Sequence, residues 1–120
     1  MSSKSKHKGD RFERAMKEFF VDLWPDIERR RQCADHQRNE PDLRSDEAEL
    51  AFEAKHRKNM NVQAWLRQSL IRTPPGYKTG VIFRFSDFFP GRPLDVVVMP
   101  ACDFKKLIEE EREKKWSSPS

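Results

Sequence analysis

The segment Leu50-Ala51-Phe52-Glu53-Ala54-Lys55-His56 constrains the fold of this chain more than any other. Side chains of a strand alternate between its faces, so Leu50, Phe52 and Ala54 point into a core while Ala51, Glu53 and Lys55 share the opposite face. At the i,i+2 spacing of a strand, Glu53 and Lys55 leave the backbone roughly 6–7 Å apart. Pro41-Asp42 lies a short loop upstream. If the preceding strand ends beside this one, Asp42 brings a second carboxylate to the same point. Two such carboxylates are hard oxygen donors for Mg²⁺ and leave coordination positions for water and phosphate. The spacing suits hydrolysis of a phosphodiester.

A chain of 120 residues is one domain by length, large enough for a single modest core. With 37% charged residues and a mean hydropathy of −0.94, that core must be thin, and a second copy of the chain is expected to complete some of the apolar surface. The net charge is +4, and the basic residues cluster: Lys4, Lys6, Lys8 and Arg11, then Arg29-Arg30-Arg31 and Arg38, then Lys55, Arg57 and Lys58. These clusters flank the carboxylates, the footprint of a polyanionic substrate. The acidic run Glu109-Glu110-Glu111 lies far along the chain. Cys33 and Cys102 have no CxxC spacing, there is no long apolar span, and the chain reads as a soluble cytoplasmic protein. The two thiols and the scattered His7, His36 and His56 lack zinc-site spacing.

Residues 1–8 have no periodicity and are expected as a flexible basic arm, with a single domain over 9–115 and a disordered tail at 116–120. The recurrence of Phe12, Ala15, Met16, Phe19, Phe20 and Leu23 predicts a helix over 10–23, stopped by Pro25. Residues 27–33 suit an edge strand, 34–40 a polar loop, 41–43 the end of a second strand, 45–49 an acidic turn and 50–56 the third strand. A second helix is expected over 59–72, apolar on two sides and so covered on both, ended by Thr73-Pro74-Pro75-Gly76. Residues 79–85 and 94–99 read as two buried strands joined by a loop over 86–93, and 103–115 as a closing amphipathic helix. The sum is an α/β domain: a mixed sheet of about five strands flanked by helices in the order αβββαββα.

This order, with Lys8-Gly9-Asp10-Arg11-Phe12-Glu13 opening the first helix, Pro41-Asp42, and Phe52-Glu53-Ala54-Lys55, resembles the PD-(D/E)XK nuclease superfamily. Within it, the chain is similar to the small Holliday-junction resolvases of archaea and phages. The resemblance implies a restriction-endonuclease-like fold and a Mg²⁺-dependent endonuclease, with Mn²⁺ as a substitute, acting in DNA recombination and repair as a homodimer on four-way or other branched DNA. It implies that Asp42, Glu53 and Glu13, with the carbonyl of Ala54, hold the metal, and that Lys55 positions or polarises the attacking water. Archaeal relatives carry a Gly-Ser element before the Pro-Asp pair, whereas this chain reads Cys33-Ala34-Asp35-His36-Gln37-Arg38-Asn39-Glu40.

Each residue also has a plainer reading. An E-x-K tripeptide arises on the solvated faces of strands, where an ion pair adds little stability. Glu13 is about 100° around the helix from Phe12, at the border of the buried face, where it reaches either the site or Lys17 at i,i+4. Arg29 and Arg31 share one face of the edge strand and Arg30 the other, to meet phosphate or to guard the edge. Lys8 and Arg11 at a helix start oppose its dipole, which a bound phosphate would relieve. Arg38, Arg57 and Lys58 complete the candidate DNA surface. Phe88-Phe89 and Trp65 are either stacking residues or part of a core or dimer interface, and the interface is favoured for Phe88-Phe89. Two alternatives stand beside the resolvase: a nuclease of the same superfamily acting on duplex or single-stranded DNA, and a non-catalytic DNA-binding module.

Overall fold

A computed structural model describes residues 3–29 and 40–117, with side chains described over 9–29 and 40–115. Three helices, α1 (Ser3–Phe20), α2 (Val62–Arg72) and α3 (Ala101–Ser117), accompany five strands: β1 (Glu28–Arg29), β2 (Leu43–Ser45), β3 (Leu50–Lys55), β4 (Lys78–Phe89) and β5 (Arg92–Val98). The described strands form one open mixed sheet in chain order. All neighbours are antiparallel except β3 and β4, which run parallel because α2 crosses over between them. The chain is thus α/β with the element order read from the sequence.

The alternation of β3 divides the core. On one face, Leu50 and Phe52 join Leu43, Ile27 and Ile82 beneath Phe12 and Met16 of α1, with Phe20, Trp24, Met99 and Leu107 around them. Phe52 stacks on Phe20 at 5.8 Å and meets Trp24 at a tilt, at 6.1 Å between ring centroids, contacts that add about 0.5–1.5 kcal/mol each to the burial itself. Its neighbour in register is Gly80. A Cβ there would stand 2.9 Å from the Phe52 ring, so glycine is what gives the ring room against β4. On the other face, Trp65 of α2 packs on Val81 and Phe83.

Helix α2 is capped by Asn61, whose side chain accepts from the Ala64 amide. At its far end Thr73 Oγ1 donates to Ser69 O and contacts Thr79 Oγ1, both at 2.6 Å, tying the helix end to β4. Lys78, at the start of β4, is buried with Nζ 2.7 Å from both Ala48 O and Glu110 Oε1, anchoring α3.

Several boundaries differ from expectation. Helix α1 begins at Ser3, ahead of the expected start at 10, and it ends at Phe20, whose carbonyl accepts from both Leu23 and Trp24 amides. Lys8 and Arg11 therefore lie inside the helix and not against the positive end of its dipole. Helix α3 continues through Ser117, past the expected 115. The loop expected over 86–93 is mostly strand: β4 and β5 extend into a ribbon that turns at Pro90-Gly91. Pro93 is tolerated because β5 is an edge strand among the described residues, and for the same reason its outer residues, Val97 included, are exposed rather than buried. Helix α2 is covered on one side only, leaving Leu70 and Ile71 exposed within this chain. No helix among the described residues is long and apolar enough to cross a membrane.

Candidate active site

Strand β2 begins at Leu43, paired with Phe52, so the ladder stops before it reaches Ala54. Asp42 supplies what the ladder lacks: its Oδ2 accepts from the Ala54 amide at 3.0 Å. That bond fixes the Asp42 carboxylate beside β3 on the Glu53 side, as the Pro-Asp pair suggested. Glu53 and Lys55 lie on the α2 face of the strand, opposite Phe52. This face is not open, however: Glu53 is 0% exposed and Lys55 8%, because α2 crosses over it.

Burial of three ionisable groups in one place needs compensation. Arg72, the last residue of α2, donates from Nη1 to Glu53 Oε1 at 3.1 Å. At the helix C-terminus its cation also complements the dipole. Glu53 Oε2 is buried with no hydrogen-bond partner. Desolvation, then the neighbouring Asp42 charge, push the Glu53 carboxyl up to about 7, against the opposing pull of Arg72 and Lys55. Burial pulls the Lys55 ammonium below its ordinary range, opposed by Glu53 and Asp42 and reinforced by Arg57 and Arg72.

An orphaned buried carboxylate oxygen next to a second carboxylate fits a hard divalent cation. Asp42, Glu53 and the Ala54 carbonyl would hold it, with water and phosphate completing the shell. Glu13 stands on a different element: α1 packs on the Phe52 face, and there Glu13 Oε1 accepts from Arg29 Nη2 at 3.1 Å and Nε at 3.3 Å. Lys17, the partner expected from helical spacing, is not the one described.

The candidate DNA surface divides similarly. Arg29 is turned inward, held by Glu13 and by Asp10 at 3.3 Å, and is a structural tie between α1 and β1. Arg11, Arg57 and Lys58 are exposed. Arg30, Arg31 and Arg38 lie outside the described residues, as does the side chain of Lys8. Trp65 is core, whereas Phe88 and Phe89 are half-exposed at the ribbon tip. Two participants were missed: Arg72, which only its place in the last turn of a helix distinguishes, and Ser86, whose Oγ meets His56 Nε2 at 2.9 Å and links the end of β3 to the ribbon. Compared with known proteins, the chain matches no family model, no curated protein and no solved structure.

Proposed function

We propose that this chain is a Mg²⁺-dependent endodeoxyribonuclease of the PD-(D/E)XK kind, with a restriction-endonuclease-like fold, cutting branched DNA as a homodimer in the manner of a Holliday-junction resolvase. The observation that carries the reading is the group at the end of β3: Asp42 held beside Ala54, and Glu53 buried with one oxygen on Arg72 and the other unpartnered. The helix, three strands, crossover helix and parallel strand around that group support the fold assignment.

Mg²⁺ bound by Asp42, Glu53 and the Ala54 carbonyl would supply Lewis-acid stabilisation of charge on the phosphate and a more acidic water. The residues themselves do the rest. Asp42 orients its carboxylate through the Ala54 amide and balances the local positive charge. Lys55, desolvated and flanked by Glu53, is positioned to stabilise negative charge developing on the phosphodiester, where low solvent access strengthens the interaction. Arg72 holds Glu53 in a single orientation. Arg57 and Lys58, just beyond Lys55 on exposed positions, supply counter-charge for the backbone of the DNA. Exposed Leu70, Ile71, Phe104 and Ile108 provide apolar surface for a second copy, and a two-fold pair of sites suits paired cuts in a four-way junction.

The test is incubation of the purified protein with an end-labelled four-way junction and with the matched duplex, in Mg²⁺ and in EDTA. Metal-dependent cutting of the junction in preference to the duplex is expected. Preference for duplex or single strands would replace the resolvase reading with another nuclease of the same kind. Binding without cutting on any DNA in Mg²⁺ or Mn²⁺ would leave a non-catalytic module, a role in which the buried Asp42–Glu53–Lys55 group has no use.

A further inference from the structure

The ribbon formed by β4 and β5 is irregular in a specific place. Its register runs regularly from Val81 opposite Val98 to Phe85 opposite Leu94, then resumes only at Phe89 opposite Arg92. β4 therefore carries extra residues across the gap, and such a bulge bends a ribbon and re-aims its side chains. An aromatic series runs along it: Trp65 to Phe83 at 5.7 Å, Phe83 to Phe85 at 5.3 Å, Phe85 to Phe88 at 5.6 Å and Phe88 to Phe89 at 4.9 Å between centroids. The series is buried at Trp65 and Phe83 but ends in water, with Phe88 51% and Phe89 45% exposed. The two terminal rings thus hold their geometry without contributing to the core.

Beside them is a cleft of about 330 Å³ lined by Arg57, Lys58, Met60, Phe85, Ser86 and Phe88 among others. The His56–Ser86 hydrogen bond ties its two walls together. Arg84, also on the wall, is committed to Asp95 through bonds of 2.7 and 3.0 Å. Arg57 and Lys58 form no ion pair described among the residues of the structure, and they outweigh the one acidic neighbour, Asp87. The volume is near the lower end of the roughly 300–1,000 Å³ of small-ligand pockets, room for one small group and too little for a helix.

We propose that this cleft is a stacking subsite for a single unpaired nucleobase, with Phe88 as the platform and Arg57 and Lys58 on the flanking phosphates. The inference rests on the nuclease reading above and adds which feature of the DNA is recognised. Aromatic faces accept any base, and the cations track the backbone without reading sequence, so the subsite selects unpaired structure over sequence. Charge favours DNA over a second copy of the chain: the wall carries two exposed cations, Arg57 and Lys58, and no ion pair is described for either. Chain continuity agrees, since Arg57 follows Lys55 by two positions and joins the cleft wall to the end of β3.

The experiment measures binding in EDTA, where no cutting occurs, using the full chain and two fluorescein-labelled duplexes that differ only in one unpaired 2-aminopurine. The wild type is expected to bind the bulged duplex on the order of tenfold to a hundredfold more tightly than the paired one, the scale of one base stacked on an aromatic ring, and to change the 2-aminopurine emission. Phe88→Ala/Phe89→Ala should lose that preference while keeping duplex binding and its circular-dichroism melt, and Arg57→Ala/Lys58→Ala should weaken both DNAs alike. Equal affinity of the wild type for the two duplexes would overturn the subsite while leaving the nuclease reading intact. So would preference retained in the phenylalanine variant, or a dimer that the variant converts to monomer in sedimentation without DNA. Absence of binding to either DNA would remove both readings together.

Discussion

Arg72 closes on Glu53 from the end of α2, its Nη1 3.1 Å from Oε1, while Oε2 of the same carboxylate is buried without a partner. The guanidinium thus does two things: it holds one oxygen in place, leaving the other to face the site, and it favours the charged form of a group that burial pushes toward neutrality.

Removing that cation should therefore act through Glu53 protonation. In Arg72→Ala the carboxyl rises above its present value of about 7, so at pH 7 a larger fraction carries a proton and Mg²⁺ binds more weakly. One unit of rise corresponds to a loss of up to about tenfold in the charged fraction. At pH 9 most of the carboxyl is ionised again and the deficit should shrink. Arg72→Lys should retain most of the binding. Calorimetric titration of Mg²⁺ at the two pH values checks this, and a deficit equal at both would reduce Arg72 to a packing role.

The same shift makes metal-free stability depend on pH. The folded-state value of Glu53, about 7, lies above its ordinary 4.5, so the native chain binds the proton more tightly than the unfolded one. Its contribution is full below about pH 4.5 and is lost as pH rises through 7. The loss is on the order of 3 kcal/mol for a shift of this size. Urea denaturation in EDTA should show the wild type losing stability from pH 5 to 8 relative to Glu53→Gln, and Mg²⁺ should restore the wild type at pH 8 but not the variant. Parallel pH profiles for the two proteins would count against a strained, proton-binding Glu53.

How much of this was legible beforehand follows from the range of each signal. The period-2 pattern at Leu50–Lys55 is local and placed Glu53 and Lys55 on one face, and Pro41-Asp42 adjacent to a strand start placed the second carboxylate. The burial of that face was not legible, because it depends on α2 crossing over it, and neither was Arg72, which reaches Glu53 only because the helix ends there. Glu13 followed the opposite course: its helical position was read correctly as a border, but which face of the sheet the helix would cover decides its partner, and that partner is Arg29. The ribbon over 86–93 was hidden by Ser, Asp, Pro and Gly, which mark turns in most contexts and here mark a bulge and a tip. Gly91, with φ of +74°, supplies the one left-handed position the tip needs.

Substitutions in the site should separate ligation from charge stabilisation. Glu53→Gln and Asp42→Asn each remove a carboxylate charge while preserving shape, and Asn retains an oxygen to accept from the Ala54 amide. Both should abolish cutting and leave much of the DNA binding. Lys55→Ala should lower the single-turnover rate by a factor on the order of 10²–10³, the scale for one electrostatic group acting on the transition state, with little change in Mg²⁺ affinity. Rates near wild type in Lys55→Ala would make Lys55 only the buried ion partner of Glu53.

The last prediction concerns the scaffold beneath the site. Gly80 pairs in register with Phe52, and a methyl at its Cα would meet Phe52 ring carbons at 2.9 and 3.0 Å and the Val98 carbonyl at 3.3 Å. The ring has little room to retreat, since Phe20 stacks on it and Trp24 packs against it at a tilt. Gly80→Ala should cost about 1–3 kcal/mol, the range for overpacking a filled core. The strain should also spread along β3, because Phe52 is the residue next to Glu53. Phe52→Leu in the Gly80→Ala background should recover part of the loss, whereas Phe52→Leu alone should destabilise. Denaturant melts of the four proteins form a double-mutant cycle, and strictly additive losses would mean that the clash is relieved elsewhere and that Gly80 is not what seats the ring.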